Sequence, residues 1–177
     1  MLTDTDRDAE FAAFVAEHRG TLLRIARLLA AGDDAAAEDV LQTTLTRLYV
    51  GWRRVRRADN RLAYARTSLT HAFVDESRRA HRRRELTTGR PAETYDGPAP
   101  AAADPDLRPL VVAALADLGP RQRAVVVLRH WLDLDVAETA RVLGCSTGTV
   151  KSQNARALEH LRTALGPSIH PVPEESA

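Results

Sequence analysis

What this 177-residue chain has least of narrows its function first. Cysteine occurs once, at Cys145, so no disulfide framework exists. Aromatic residues make up 5% of the chain, while 44% is hydrophobic, so its cores should be built from Leu, Val and Ala. No apolar run approaches the length of a membrane span, and the acidic stretch Met1 to Glu10 lacks a basic-then-apolar export pattern. These features predict a cytoplasmic protein without membrane insertion and with a short tail after Gly166 rather than a large sensory extension. The six histidines are scattered, and none is paired with Cys or carboxylates at metal-ligand spacing. No Gly-rich phosphate loop or nucleophile motif follows a strand-like segment. Neither a metal, a cofactor nor a catalytic constellation is expected, and the chain does not read as an enzyme.

Lysine is as scarce as cysteine. Lys151 is the only one, and arginine supplies 24 of the 25 basic residues, which fits a GC-rich genome. The net charge of +1 conceals strong segregation. Residues 53–84 carry eleven arginines against Asp59, Asp75 and Glu76, a net of +8, whereas residues 1–52 and 85–120 each come to −4. A uniformly solvated surface mixes its signs, so an isolated basic block reads as a nucleic-acid face. The acidic flanks must meet something else.

Periodicity argues for helix nearly everywhere and for no β-alternating run. Phe11, Phe14, Val15, Leu22, Leu23, Ile25, Ala26 and Leu29 fit one or two helices, with Gly20 a break or kink. Gly32 ends that unit, and Asp33 or Asp34 caps the next helix, Ala35 to about Trp52. A third helix runs from about Arg61 to Arg84. The stretch 87–106 has four prolines, two glycines and no apolar period, which predicts an extended or disordered linker that leaves the two halves free to reorient. Helix resumes near Leu107, and "RQRAVVVLRHWL" follows Gly119-Pro120 as a further helix. The fold class is therefore all-α: two small helical domains, residues 8–86 and 107–166, joined by the linker 87–106.

The most informative stretch is "LGCSTGTVKSQNARAL", Leu143 to Leu158. Gly144 suits the left-handed conformation that ends a helix, and Ser146 or Thr147 can cap the next one. Val136, Ala140 and Leu143 line one face of the first helix, and Val150, Leu158 and Leu161 one face of the second. Ala140 four residues before Gly144, with Val150 six after it, is helix-turn-helix spacing. Lys151, Gln153, Asn154 and Arg156 then lie off the buried stripe, as side-chain types that bond base edges or phosphates in a major groove. An ordinary helical hairpin with a solvated face is the bland alternative.

Leu115 to Arg162 resembles the group 4, extracytoplasmic-function sigma factors, with an L-P-x-R-Q-R-like start, a V-x-L-R run, then A-E-x-A, L-G and S-x-G-T-V-K-S. The resemblance covers about residues 10–84 and 107–165 as the family's regions 2 and 4, and is strongest to short actinobacterial-type members. It implies a protein that binds core RNA polymerase and directs promoter recognition, DNA opening and transcription initiation, under an anti-sigma factor. In "DDAAAEDVLQTTLTRLY" it implies a polymerase-docking helix whose contacts are Glu38, Asp39, Gln42, Thr43 and Arg47, Thr43 standing where the family commonly has Glu. Carboxylates in a first helical turn also favour the helix dipole without any partner. The arginine-rich helix resembles the segment that opens and reads the −10 element, through Arg61, Tyr64, Arg66, His71, Asp75, Arg78 and Arg79. His71 replaces a usual Asn, and Glu76-Ser77 stand where aromatic and basic residues are usual. Trp52, Tyr64 and Phe73 are either core or stacking platforms. The second helix of the helix-turn-helix would read the −35 element through Thr149, Lys151, Ser152, Gln153, Asn154 and Arg156. The linker, with Glu93, Asp96, Asp104 and Asp106, would thread the polymerase channel or act as a plain spacer. A response-regulator-type DNA-binding protein lacks the arginine helix and the Glu38-Asp39-Gln42 face, and a helical interaction protein outside transcription would not show promoter-dependent initiation.

Overall fold

The computed structural model describes residues 4–88 and 109–166, with side chains from residue 5 and up to residue 83 in the first segment. Every regular element among them is helical. The first half comprises α1 (Asp4–Leu29), α2 (Asp34–Val50), a single turn α3 (Trp52–Val55) and α4 (Arg61–Thr88). The second comprises α5 (Pro109–Ala116), α6 (Pro120–Val126), a π-helical stretch (Val127–Trp131), α7 (Val136–Leu143) and α8 (Thr147–Leu165). Most of the expected linker, residues 89–106, lies outside the described residues.

The helices begin and end for local reasons. Helix α1 runs through Gly20 without a break: that glycine is exposed and its absent Cβ would meet no atom, so nothing there demands a kink. Ala31 and Gly32, at φ 51° and 82°, turn the chain, and the Asp33 carboxylate accepts from Ala36 N at 3.0 Å to start α2. Asp34 instead pairs with Arg27 of α1 at 2.8 Å. Helices α1, α2 and α4 bury Leu22, Ile25, Leu29, Leu41, Leu48 and Leu69 against one another, the apolar stripe that periodicity predicts.

In the second half, Asp135 caps α7 by accepting from Glu138 N at 2.7 Å, while the Glu138 side chain accepts from Asp135 N at 3.2 Å. Gly144 is left-handed, at φ 60° and ψ 44°, and Ser146 caps α8 by accepting from Thr149 N at 3.1 Å. Val125, Ala140 and Val150 then form a small core of their own beneath that turn. The single helix expected over "RQRAVVVLRHWL" is in fact two pieces. After Val126 the ladder widens, and Leu132 N donates to Val127 O at 3.0 Å, five residues back. Leu134 N and the Arg129 guanidinium donate to Leu128 O and Leu134 O, at 3.0 and 2.6 Å, which folds the exit of the π stretch back on itself. Asp133 completes that exit at φ 52°. Such bulges arise from tertiary fit and leave no periodic signal in the sequence.

The two halves pack together. Helix α4 contacts α6 and α7, α1 contacts α6 and the π stretch, and one apolar cluster runs from Leu22 and Leu29 to Val126 and Val127. The expected freedom of the halves to reorient is thus not what the described residues present.

Candidate polymerase and nucleic-acid interfaces

Three surfaces collect the residues singled out in the sequence. On α2, Asp39, Gln42, Thr43 and Arg47 are exposed, opposite the buried Val40, Leu41, Thr44 and Leu48. A spacing of three and four residues puts them on one ridge. Glu38 stands apart, because both its oxygens accept from Arg19 Nη2 at 2.9 Å, an α1–α2 brace. Arg47 reaches across to α4 and meets Asp75 at 3.3 Å, joining residues assigned to two different surfaces. These four α2 side chains line a cleft of about 560 Å³ whose far wall is Phe73 and Arg79 of α4 with Pro120 and Arg123 of α6.

Helix α4 carries the cations. Arg78 and Arg79 are exposed, and Arg66 is half-buried. Arg79 and Arg83 flank Glu76 at 3.8 and 2.7 Å, so the acidic residue inside the basic block is spanned by its own neighbours. Arg61 is held at the other end by Glu10 at 3.1 Å and lies 5.9 Å from the Trp52 ring centre. Tyr64 is 36% exposed, whereas Trp52 and Phe73 are buried, which makes Tyr64 the one accessible ring of the three. His71 is exposed, yet its Nε2 is hydrogen-bonded to the Val142 carbonyl of α7, in the other half of the molecule.

The third surface is α8. Thr147, Gly148, Lys151, Ser152, Ala155 and Arg156 face outward, and Ser152 Oγ donates to Thr149 O at 3.0 Å. Thr149 is half-buried, and its hydroxyl is 2.9 Å from that of the capping Ser146. Gln153 is half-buried beside an apolar cleft of about 350 Å³, with Val74, Arg78 and His81 of α4 across from it. Asn154 departs from the expected reading. It is 6% exposed, and its side-chain oxygen is 2.9 Å from His130 Nε2 of the π stretch. The reason is helical phase: residues 150, 154, 157 and 161 form one stripe, and Val150, Ala157 and Leu161 are all buried. Asn154 is therefore a packing residue with its polar end satisfied by His130, a partner that sequence reasoning missed.

Replacing Asn154 with Ala should lower stability by about 0.5–1.5 kcal/mol, because the part-buried hydrogen bond to His130 is lost. It should leave any preference among DNA sequences unchanged. Urea denaturation and sequence selection on the same variant check both halves, and an altered preference with unaltered stability would count against the inward placement.

Residues 14–83 match the model of Sigma-70 region 2, and residues 109–161 that of Sigma-70, region 4. The chain is 42% identical over 159 residues to the RNA polymerase sigma-E factor of Streptomyces avermitilis, covering 88% of this chain and 85% of that one. It is 34% identical over 157 residues to the ECF RNA polymerase sigma factor SigL of Mycobacterium tuberculosis, covering 84% and 85%. Among solved structures, the sigma factor RpoE from Bartonella quintana, crystallised with the anti-sigma factor NepR, shares the fold. Its TM-score is 0.67 at 24% identity, over 90% of this chain and 99% of that one.

Proposed function

The chain belongs to the sigma-70 family as a short actinobacterial-type extracytoplasmic-function sigma factor, and we propose how it divides the work of initiation among its three surfaces. As a sigma factor it binds core RNA polymerase and directs promoter recognition, opening and initiation. The observation that carries this is the presence of both regions in one chain. A regulator that only docks a helix-turn-helix has no use for the region 2 unit. Members of this family are not catalysts, and no reaction is assigned.

In our reading, the ridge of Asp39, Gln42, Thr43 and Arg47 meets the polymerase, with Glu38 bracing the helix as well as touching the partner. The accessible cations of α4, with Tyr64 and Asp75, meet the −10 DNA, and His71 joins them once released from Val142. A ring of Tyr64's exposure can stack an unpaired base for about 1–3 kcal/mol. Helix α8 enters the −35 major groove on the face of Lys151, Ser152 and Arg156, flanked by Thr149 and Gln153. We assign the protein to the cytoplasm, where polymerase and DNA are; among the described residues no helix is long and apolar enough to cross a membrane. An anti-sigma partner is part of this proposal.

Transcription with purified core polymerase tests the function directly: the chain should produce a defined start site that core alone does not. Within α8 the contacts should separate by type. Arg156→Ala should weaken all promoters alike and reduce the slope of log affinity against log salt by roughly 0.9, as a phosphate contact does. Gln153→Ala should cost about 1–3 kcal/mol at one base position and relax the preference there. Promoter selection at fixed salt distinguishes them, and wild-type behaviour of both variants would leave α8 a solvated surface.

A further inference from the structure

We infer that Glu10 of α1, a residue of none of the three surfaces, is a positioning residue for promoter selectivity. It fixes the Arg61 guanidinium beside Tyr64, so that this cation meets −10 DNA in one geometry and is held back from DNA of other sequence. This role rests on the sigma-factor reading above, within which Arg61 is a −10 contact.

Arg61 stands where a helix least favours a cation. It is the first residue of α4, whose first turn contains no carboxylate, and Asn60 caps that helix by accepting from Ala63 N at 2.9 Å. The helix dipole is positive at this end. The compensating charge comes from another helix. Glu10 Oε1 lies 3.1 Å from Arg61 Nη2, while Glu10 Oε2 accepts from Trp52 Nε1 at 3.3 Å. Trp52 is 1% exposed and enclosed by Phe11 and Phe14, so the carboxylate is itself held by a fixed ring. The same ring lies 5.9 Å from the Arg61 guanidinium, which gives that group a second neighbour. The Arg61 side chain is nevertheless 42% exposed, against 28% for Glu10, so part of the fork still faces solvent. Pairing further along α4 is of another kind. Arg79 and Arg83 share Glu76 of their own helix, and such exposed pairs are easily given up.

The consequence for DNA combines charge and entropy. Sequence-independent binding is driven by cations that replace counterions on phosphates, and a neutralised guanidinium contributes little to it. A fixed guanidinium has already lost its rotamer freedom, so it meets a correctly placed acceptor at little further cost. It cannot swing to a misplaced one without leaving Glu10. The pairing therefore lowers non-specific affinity more than specific affinity, which is selectivity gained by penalising the wrong partner. Tyr64 marks where the right acceptor arrives. It is 36% exposed and three residues beyond Arg61, and residues at that spacing are neighbours on a helix surface. A promoter strand that stacks a base on Tyr64 brings that nucleotide's acceptors to the held fork. DNA without that anchor has to draw Arg61 away from Glu10 before it gains the contact.

The test uses the full chain in holoenzyme with core polymerase. The probes are a fork-junction DNA whose −10 element is defined by the wild-type start site, and the same DNA with that element scrambled. Glu10→Gln is isosteric, and its amide oxygen still accepts from Trp52, so melting should stay near wild type. The ratio of affinities for the two DNAs should fall about fivefold, chiefly through tighter binding of the scrambled one. The slope of log affinity against log salt for the scrambled DNA should steepen by roughly 0.7, the increment of one added cation on a single strand. In an Arg61→Ala background the same change should alter neither the ratio nor the slope. If Glu10→Gln loses helix content by circular dichroism, Glu10→Met, of similar length and good helix propensity, takes its place with the same forecasts. An unchanged ratio in a folded variant would overturn the role. So would an equal fall with Arg61 already removed, since Glu10 would then support the fold and not that guanidinium. Failure of the wild-type holoenzyme to initiate at any defined site would overturn the sigma-factor reading and this role with it. Normal initiation, with Arg61→Ala binding both DNAs as wild type does, would overturn this role alone.

Discussion

Trp52→Ala should cost region 2 about 3–5 kcal/mol, a larger stability loss than the one expected for Asn154→Ala in region 4. Trp52 is 1% exposed and is enclosed by other rings. Phe11 meets it edge-on with centroids 5.2 Å apart, and Phe14 is tilted against it at 5.3 Å. Its Nε1 donates to Glu10 at 3.3 Å, which ties α1 to the turn that begins at Gly51. Such ring pairs contribute about 0.5–1.5 kcal/mol beyond area burial, and truncation also leaves a cavity and removes one of the two partners of Glu10, which keeps Arg61. Domains of this size are stable by only about 5–15 kcal/mol, so the melting temperature should fall by roughly 15 °C or more. Thermal unfolding followed by circular dichroism reads this. The competing role for Trp52, a platform for an unstacked promoter base, makes the reverse forecast: near-normal melting with defective promoter opening. A stability loss under about 1 kcal/mol would favour that role.

The contrast between Trp52 and Tyr64 shows which features of the fold were legible in the sequence. Residue type alone left both rings open to core or stacking roles. Helical phase decides between them, since Trp52 continues the buried stripe of Leu41 and Leu48 past Gly51, while Tyr64 sits one position before the buried Ala65. The same phase argument, applied to Val150, Ala157 and Leu161, puts Asn154 inside. It was obscured because an amide in a helix-turn-helix looks like a base reader. Caps were legible because they depend on two or three neighbouring residues: Asp33 and Ser146 both bond within three positions. The π stretch was not, because its register depends on what Val127 and Leu128 pack against. Nor was the hydrogen bond from Arg123 to the Leu29 carbonyl, since that carbonyl lies 94 positions away and belongs to the backbone, which has no sequence signature. Charge segregation marked α4 as basic, but not that Arg47 would meet Asp75, or that Glu38 would be occupied by Arg19.

That last pairing sets up the second large effect, Asp39→Arg, which should weaken binding to core polymerase by about 2–5 kcal/mol, a loss of roughly 30-fold or more. Asp39 is exposed and, unlike Glu38, has no ion-pair partner among the described residues. Its charge is therefore available to a partner, and reversing it leaves no intramolecular brace broken. Because the side chain lies off the stripe of Val40, Leu41 and Thr44, the variant should keep wild-type helix content and melting temperature. Gln42→Ala, one turn along the same ridge, should weaken core binding less, through a lost hydrogen bond and not a repulsion. Glu38→Ala makes a useful contrast, since its brace to Arg19 is an exposed pair worth about 0–1 kcal/mol to the fold. If Glu38 serves mainly that brace, its loss should affect polymerase binding far less than the reversal at Asp39. Co-purification with core at moderate salt, followed by titration at two ionic strengths, ranks the three variants. A desolvated interface pair should leave most of the Asp39 effect in place as salt rises, because buried charges are screened much less than exposed ones. Wild-type binding by a folded Asp39→Arg chain would move the polymerase contact off this ridge, to the walls of the cleft that it shares with α4 and α6.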